Sequence, residues 1–478
     1  MKFLYLLLIV VSSSSWLNAG LKKLTLPRAL SILEKSNLEI KASKFEESMK
    51  YYDHIAAKAK KYGTLDLEYT ALRSNDAGNV FGFKLQSREA NFGDFGFSDF
   101  MNALGEGIMQ SAQLDPNGLP NFGFFALGLA QNSDAILALE PADLNYPAPR
   151  NHFITKMTYK VPLYTGGMLK SYRKITKKMY EMSKLDTKKL FSLKRYELKK
   201  TFYDIAVVNN FIYNLNVIKR NIQRLKAVIK EMKREGYALE TDILEVDARL
   251  AEVEAMLNEA RLNRELAYYF LSFLLNKKVD SVVAPKRDPR VPRVTKKIIE
   301  ERSLDIAKAK MGLSITKDAI RVEKAKFKPQ VGAFVEYGFA DNRVVPISMK
   351  KDFWTIGMQA KMNVYNGGAD RAMLEKAKAN YLKVKSQLEL AKKGLWLKAQ
   401  KLKAEIRSLN YRVRSFKKQY IVATKVYKTY REKYKEGLVS ITELLIKQSK
   451  QIEILLKLLK VKNDRNAKIL ALQDLINK

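Results

Sequence analysis

The sequence predicts an α+β fold that combines very long antiparallel helices with four β-strands, organised as a two-fold internal repeat. Three observations support this prediction: sequence landmarks that recur at one offset, long heptad-patterned stretches, and short segments in which apolar and polar residues alternate. Heptads are typical of helices that pack on helices, and alternation is typical of strands with one apolar face. Units of this length favour two-fold pseudo-symmetry over a solenoid of short repeats.

The N-terminus has the layout of a cleavable secretory signal. Lys2 supplies a positive charge, residues 3–11 form an unbroken apolar run, and small residues lead to Ala19. A run of about nine apolar residues is too short for a membrane-spanning helix, which needs roughly 20. We therefore predict that residues 1–19 are a signal peptide and that the mature chain is exported. No later apolar stretch of the sequence is long enough to be a transmembrane helix.

The composition argues against an enzyme. The sequence has no cysteine and only two histidines, His54 and His152, and it contains no phosphate-binding glycine loop or nucleophile motif. We therefore predict no catalytic site, no cofactor and no metal site. The net charge of +37 suggests nucleic acid or an anionic surface as a partner. Because the lysines are spread along every predicted helix, we interpret them as a solvated surface and predict no nucleic-acid binding; a pore that prefers anions is an alternative.

Two landmarks define the internal repeat. Residues 161–167 (VPLYTGG) match 362–368 (MNVYNGG), and residues 241–244 (TDIL) match 442–445 (TELL), both at an offset of 201. A third landmark pairs residues 37–40 with 303–306 at an offset of 266. The difference between 266 and 201 places an insertion of about 65 residues in the first repeat, at residues 74–150. We predict a first repeat over residues 20–284 and a second over 285–478.

Each repeat is predicted to contain one long helix and two shorter ones. The long helices cover residues 168–234 and 369–435, and at 1.5 Å per residue each is about 100 Å long. In the first repeat the shorter helices, over about 34–62 and 238–276, together match the length of the long one. Two short helices stacked end to end would therefore lie antiparallel beside one long helix. Such a coiled coil spans a distance and encloses no compact core.

The predicted strands have the pattern of transmembrane β-strands. In the last strand Trp354, Ile356 and Met358 lie on one face, which we predict to face lipid, while polar residues occupy the other face. Four strands cannot close a barrel, and an open edge in lipid leaves backbone groups unpaired. Two chains would supply eight strands around a filled interior, and three would supply twelve around a lumen. A soluble sheet packed on a helix is the alternative that alternation does not exclude.

Glycines mark the changes of chain direction. Gly236 and Gly437 are predicted to end the long helices in the left-handed conformation, and residues 440–443 resemble a capping box. We predict strand-to-helix hinges at two pairs of glycines, because glycine adopts backbone angles that other residues disfavour: Gly166, Gly167, Gly367 and Gly368. The insertion at 74–150, rich in Gly, Phe and Asn, is predicted to be a long loop with short helices at a barrel mouth; a ligand-binding or plugging role is the alternative.

In this order and spacing, three motifs resemble those of the TolC family of outer-membrane efflux proteins: residues 24–30, 161–167 and 434–445. The resemblance extends over residues 24–475 apart from the insertion. It implies a homotrimer in outer-membrane lipid, with a 12-stranded barrel and a tunnel of twelve helices that extends into the periplasm. It also implies that the tunnel tip docks a periplasmic adaptor (membrane fusion) protein and an inner-membrane transporter.

The resemblance also assigns residues at the tip. It implies adaptor contacts at four positions: Gly236, Tyr237, Gly437 and Leu438. A pore constriction is implied at Asp242, Tyr434 and Glu443. Val439 stands where the best-known member has an arginine, and Ile446 stands where that member has a second acid, so the latch that closes the tip is expected to differ.

The function implied is that of an exit duct in a tripartite efflux or type I secretion system. Such a duct passively conducts solutes from an inner-membrane pump to the exterior. The alternative is a secreted coiled-coil scaffold or adhesin without a pore.

Overall fold

The computed structural model describes residues 20–111, 117, 126, 130, 133–285 and 287–477. The predicted signal peptide lies outside these residues. The described part of the chain is mostly helical and contains a four-stranded antiparallel sheet, which confirms the α+β fold class. No helix in the described residues is both long enough and apolar enough to cross a membrane.

The helices are labelled in chain order. Those of the first repeat before its first strand are α1 (Leu26–Ser36) and α2 (Leu38–Ala59). The insertion contains α3 (Ala77–Gln86), α4 (Phe97–Ser111) and α5 (Ala142–Asn145). The first repeat ends with α6 (Met168–Arg234) and α7 (Glu240–Leu275). The second repeat contains α8 (Lys296–Arg302), α9 (Leu304–Ala325), α10 (Ala369–Lys435) and α11 (Ile441–Asp474).

Both long helices begin and end where the sequence predicted, and each has 67 residues. The helix expected over 34–62 is instead divided at Asn37. The Asn37 side chain accepts a hydrogen bond from the Ile40 amide at 2.9 Å and donates one to the Leu274 carbonyl at 2.8 Å. These bonds start α2 and attach it to α7, so the chain turns where helix propensity alone would let it continue.

The sheet contains four strands in the order β1 (Thr64–Ser74), β2 (Arg150–Tyr164), β3 (Gln330–Asp341) and β4 (Asp352–Lys361). Neighbouring strands are antiparallel, and the pairing of β2 with β3 joins the two repeats. The alternation of apolar and polar residues continues in the sequence to Val364, but β4 ends at Lys361. Residues 362–364 have no strand beside them in the described chain, so their backbone groups gain no ladder hydrogen bonds.

The chain forms two compact units, each with segments from both repeats. The helical unit contains the chain up to His54, Lys174–Ile320 and Glu375–Lys478; the sheet unit contains Ile55–Arg173 and Arg321–Leu374. In the helical unit, the heptad residues Leu215, Ile222 and Ile229 of α6 are fully buried. They belong to a cluster with residues of α7 and α11, including Val246 and Leu444. The stripe predicted from the heptads is therefore the core of this unit.

The insertion lies between β1 and β2, and ion pairs attach it to the strand ends. Glu89 pairs with both Arg150 and Lys351, and Lys351 also pairs with Asp341 at 2.7 Å. His152 is buried on β2 and stacks on the Phe83 ring of α3 at 4.2 Å. The short helices were expected; a position at a barrel mouth and a plugging role both stay predictions.

Candidate functional site at the helix turns

Two turns connect the long helices to the helices that return from them. Gly236 follows α6 with φ of 83°, and Gly437 follows α10 with φ of 74°. The Tyr237 amide donates to the Met232 carbonyl at 2.7 Å, and the Leu438 amide donates to the Lys433 carbonyl at 2.9 Å. These bonds satisfy carbonyls at the helix ends and form the Schellman geometry in which glycine is favoured.

The carboxylates of Asp242 and Glu443 cap the helices that follow the turns. Ser440 and Glu443 form a reciprocal capping box, with bonds of 3.1 and 3.2 Å, as the sequence predicted. In the first turn Leu239 has no side-chain acceptor, so only the reverse bond exists, from the Leu239 amide to Asp242 at 3.0 Å. Both acids assigned to the pore constriction are therefore engaged at helix N-termini, where negative charge is favourable.

A side-chain hydrogen bond joins the starts of the two returning helices. The Thr442 hydroxyl of α11 donates to the Glu245 carboxylate of α7 at 2.9 Å. Beside this bond, the apolar residues of the turns face solvent: Tyr237 is 80% exposed and Leu438 is 66% exposed. Each turn therefore exposes one large apolar side chain.

Tyr434 is buried at the end of α10. It is 5% exposed and packs in the cluster that contains Ile441 and Leu444. Its hydroxyl has no hydrogen-bond partner among the described residues. Burial, with a smaller contribution from the negative charge of Asp242, raises the pKa of Tyr434 to about 12. Within one chain, this residue assigned to the constriction is therefore a neutral core residue close to an acid.

Sequence reasoning missed a set of contacts between the long and returning helices. In the first repeat, Lys226 of α6 pairs with Asp247 of α7. The offset of 201 takes these residues to Tyr427 and Gln448, where the Gln448 amide donates to the Tyr427 hydroxyl at 3.2 Å and both side chains are buried. The repeat offset was the signal that could have found this pair.

A groove of about 460 Å³ lies between α10 and α11. Its apolar lining includes Val422, Val426 and Ile454, and lysines line it as well: Lys418, Lys447 and Lys450. The first half of α11, residues 441–460, contains four lysines and two glutamates. The same part of α7, residues 240–259, contains seven acidic residues and one arginine. Positive charge on the second hairpin is therefore compensated far less than on the first.

The hinge glycines all have positive φ, between 62° and 92°, but their surroundings differ. A Cβ atom added to Gly166 would lie 2.7 Å from the Ala325 carbonyl oxygen. A Cβ atom added to Gly367, the counterpart of Gly166, would meet no described atom within 4 Å. Both positions favour glycine because their φ angle is positive, but only Gly166 is also closely packed.

One face of the sheet exposes large apolar side chains. Trp354, Ile356 and Met358 of β4 are 69%, 68% and 75% exposed. Leu65 and Leu67 on the opposite edge strand are also exposed. An apolar surface of this kind is unusual for a protein surrounded by water on all sides. The described residues contain no group of three or more side chains able to hold a metal ion.

Residues 297–478 match the sequence profile of the family described as outer membrane efflux protein. No curated protein is significantly similar to the chain in sequence. Solved structures match almost the whole chain. CusC has a TM-score of 0.73 at 14% identity, with 97% of this chain and 95% of that chain covered. The CmeC outer membrane channel of Campylobacter jejuni has a TM-score of 0.73 at 13% identity, covering 97% and 90%.

The open state of the MtrE outer membrane channel of Neisseria gonorrhoeae has a TM-score of 0.70 at 12% identity, covering 95% of this chain and 88% of that chain. At these identities the likeness concerns the fold. The family profile supports the resemblance stated from the sequence over residues 297–478, and the solved structures share the fold of the chain.

Proposed function

Because residues 297–478 match the sequence profile of the outer membrane efflux protein family, we propose that this chain is one protomer of an outer-membrane exit duct. Three copies would close a 12-stranded barrel in lipid and a helical tunnel in the periplasm. The duct would passively conduct solutes from an inner-membrane transporter to the exterior. It is proposed to act as a channel and not as an enzyme.

The observation that carries the proposal is the exposed apolar face of a sheet with two open edges. Trp354, Ile356 and Met358 face solvent on β4, and the outer edges of β1 and β4 have no partner strand in the described chain. Open strand edges promote pairing with further strands, and an apolar outer face is what lipid requires. Closure by further copies in a membrane would satisfy both features.

The proposal also includes an adaptor that docks at the two turns after the long helices. The exposed side chains of Tyr237 and Leu438 would contact it, together with the backbone at Gly236 and Gly437. The groove between α10 and α11 has an apolar lining and lysines, so a partner helix with an apolar stripe and acidic flanks would be complementary. Asp242, Tyr434 and Glu443 are proposed to surround the constriction that such docking opens.

The barrel is tested by single lysine substitutions on opposite faces of β4. Ile356→Lys should lose roughly 2–4 kcal/mol if its site lies near the bilayer midplane, because the charge would enter hydrocarbon. Thr355→Lys, on the other face of the same strand, is the matched control and should be tolerated. The measurements are the amount of heat-modifiable trimer in outer-membrane fractions and the conductance in planar bilayers.

The secreted scaffold predicts the opposite outcome. If Ile356→Lys and Thr355→Lys both gave a folded, water-soluble protein without conductance, the duct would be excluded.

Docking is tested with a synthetic helical hairpin that carries glutamates beside an apolar stripe, against the same hairpin with glutamines. Equal affinity of the two hairpins for the wild-type tip would contradict an acidic partner and leave the barrel untouched.

A further inference from the structure

The insertion between β1 and β2 covers one face of the sheet at one end. We propose that its helix α3 lies inside the outer mouth of the duct, so that the insertion, and not the barrel, sets the size of the solutes that can leave. The inference rests on the proposed function, because the sheet encloses a lumen only as part of a barrel. It gives the insertion the role of a size-selecting constriction.

The register of the strands defines the two faces of the sheet. Trp354 is opposite Tyr337, and Tyr337 is opposite Met157 of β2, so these three side chains share the apolar face. Successive residues of a strand point to opposite faces. His152 lies an odd number of residues before Met157 in a regularly paired part of β2, so it lies on the other face. In the proposed barrel the apolar face is turned to lipid, and the face of His152 is turned to the lumen.

Helix α3 covers the face on which His152 lies. The rings of His152 and Phe83 are stacked with centroids 4.2 Å apart, and the Nε2 atom of His152 donates to the Gln86 side-chain oxygen at 2.9 Å. These contacts leave His152 with no exposed area. Ala340 of β3 lies on the same face and is also fully buried. The end of the polar face is therefore covered by a helix of the same chain.

The covered end of the sheet is the end where the insertion joins the strands. The insertion connects Ser74 to Arg150, which are paired, whereas α2 precedes β1 and α6 follows β2 at the opposite strand ends. His152 is two residues inside β2, so α3 contacts the strand roughly 7 Å from its end at Arg150. In the proposed duct this end opens to the exterior, because the helices extend from the other end.

Two adjacent residues after α3 anchor the insertion to the starts of two strands. The Arg88 side chain donates to the Asp352 carbonyl at the start of β4 at 2.7 Å. Glu89 pairs with Arg150 at the start of β2 and with Lys351. The side chains of Glu89, Arg150 and Lys351 are largely shielded from water, which strengthens the attraction between their charges. The anchors therefore hold α3 across the face that β2, β3 and β4 share.

The dimensions of the barrel show how much of the mouth the insertion fills. Twelve strands about 4.8 Å apart and tilted by about 40° give a barrel roughly 24 Å across from backbone to backbone. A helix with its side chains is about 10–12 Å wide, so three helices side by side form a bundle roughly 22–26 Å wide. Three copies of α3 are therefore sufficient to fill the mouth that three copies of the sheet would form.

The constriction is tested by labelling single cysteines from outside intact cells, for which the cysteine-free chain is suited. Gln359→Cys places a thiol on the lumen face of β4, and Val344→Cys places one at an exposed position between β3 and β4. Each is made in the full chain and in a deletion variant. Because Ser74 and Arg150 are directly paired, an Asn-Gly turn can replace residues 75–149 in that variant. The reagents are a maleimide on a bulky polymer and a small charged maleimide.

In the full chain, the bulky reagent should label Gln359→Cys roughly tenfold more slowly than Val344→Cys, because three helices fill the mouth. In the deletion variant the two rates should be similar. The double variant Arg88→Gln with Glu89→Gln removes both anchors, retains the chain length and should raise the rate at Gln359→Cys severalfold. Glu106→Gln, at an exposed position of α4, is the matched control and should leave the rate unchanged.

The outcomes separate the constriction from the duct. Equal labelling of Gln359→Cys with and without the insertion, and with and without the anchors, would overturn the constriction and leave the duct intact. Met358→Cys lies on the apolar face beside Gln359 and reports on the duct, because lipid should protect it from both reagents in every variant. Rapid labelling of Met358→Cys and Gln359→Cys in a water-soluble protein would exclude the duct and the constriction together.

Discussion

The two hairpins of long and returning helices share one geometry but differ in chemistry. In the first repeat, three lysines of α6, spaced by seven residues, pair with three acids of α7: Lys219 with Glu254, Lys226 with Asp247 and Lys233 with Glu240. The offset of 201 takes every lysine to a tyrosine, and the acids to uncharged residues: Tyr420 with Leu455, Tyr427 with Gln448 and Tyr434 with Ile441. A ladder of ion pairs in one hairpin is thus a ladder of aromatic residues in the other.

Contacts at equivalent positions of the two hairpins therefore contribute unequally to stability. The three ion pairs are partly exposed, and such pairs contribute little because water screens them. Tyr427 and Tyr434 are buried in the core cluster, where an aromatic side chain contributes through its large apolar area. The two repeats share one backbone geometry, but the side chains at each position determine how strongly the helices attract each other. The second hairpin is therefore expected to be the more stable.

The largest effect should come from removing one tyrosine. Tyr427→Ala should cost about 3–5 kcal/mol of unfolding free energy, because it leaves a cavity and an unpaired Gln448 amide. Lys226→Ala, at the equivalent position of the first repeat, should cost less than about 1 kcal/mol. Denaturant unfolding followed by circular dichroism measures both. Equal losses in the two variants would refute the difference in cohesion.

A smaller effect should appear at alkaline pH. Burial raises the pKa of Tyr434 to about 12 from 10.0, so the folded chain holds this proton more tightly than the unfolded chain. Its contribution of about 2.7 kcal/mol is complete below pH 10 and is lost as the pH rises from 10 through 12. Stability should be measured against pH for the wild type and Tyr434→Phe. A slope that is unchanged in Tyr434→Phe would rule out Tyr434 as its source.

The smallest effect should be the salt response of the first hairpin. Replacing Lys219, Lys226 and Lys233 by glutamine removes the ion-pair ladder, at a cost of about 0.2–1 kcal/mol per pair at low salt. In 1 M NaCl the difference from wild type should nearly vanish, because the Debye length falls to about 3 Å. Unfolding midpoints at both salt concentrations provide the measurement. A difference that persists at high salt would indicate packing by the lysine stems.

Much of the fold could be predicted because its signals are local. The bounds of α6 and α10 followed from long heptad-patterned stretches that end at a glycine turn, and the capping box at Ser440 and Glu443 followed from four adjacent residues. The break at Asn37 could not be predicted in this way. It depends on a hydrogen bond to Leu274, which is more than 200 residues away in the sequence. Periodicity and helix propensity describe neighbouring residues and do not specify such a distant partner.

In the candidate site, too, some features follow from the local sequence and others depend on contacts between distant residues. The sequence by itself determined the repeat offsets, the two long helices and the glycines at the turns, because each depends on periodicity, spacing or the conformational freedom of one residue type. Only the tertiary structure decided that Asp242 and Glu443 cap helices, that the Tyr434 hydroxyl is buried, and that β2 pairs with β3 across the repeats. Those outcomes depend on which distant surface displaces water from a side chain, and a one-dimensional pattern does not specify that partner.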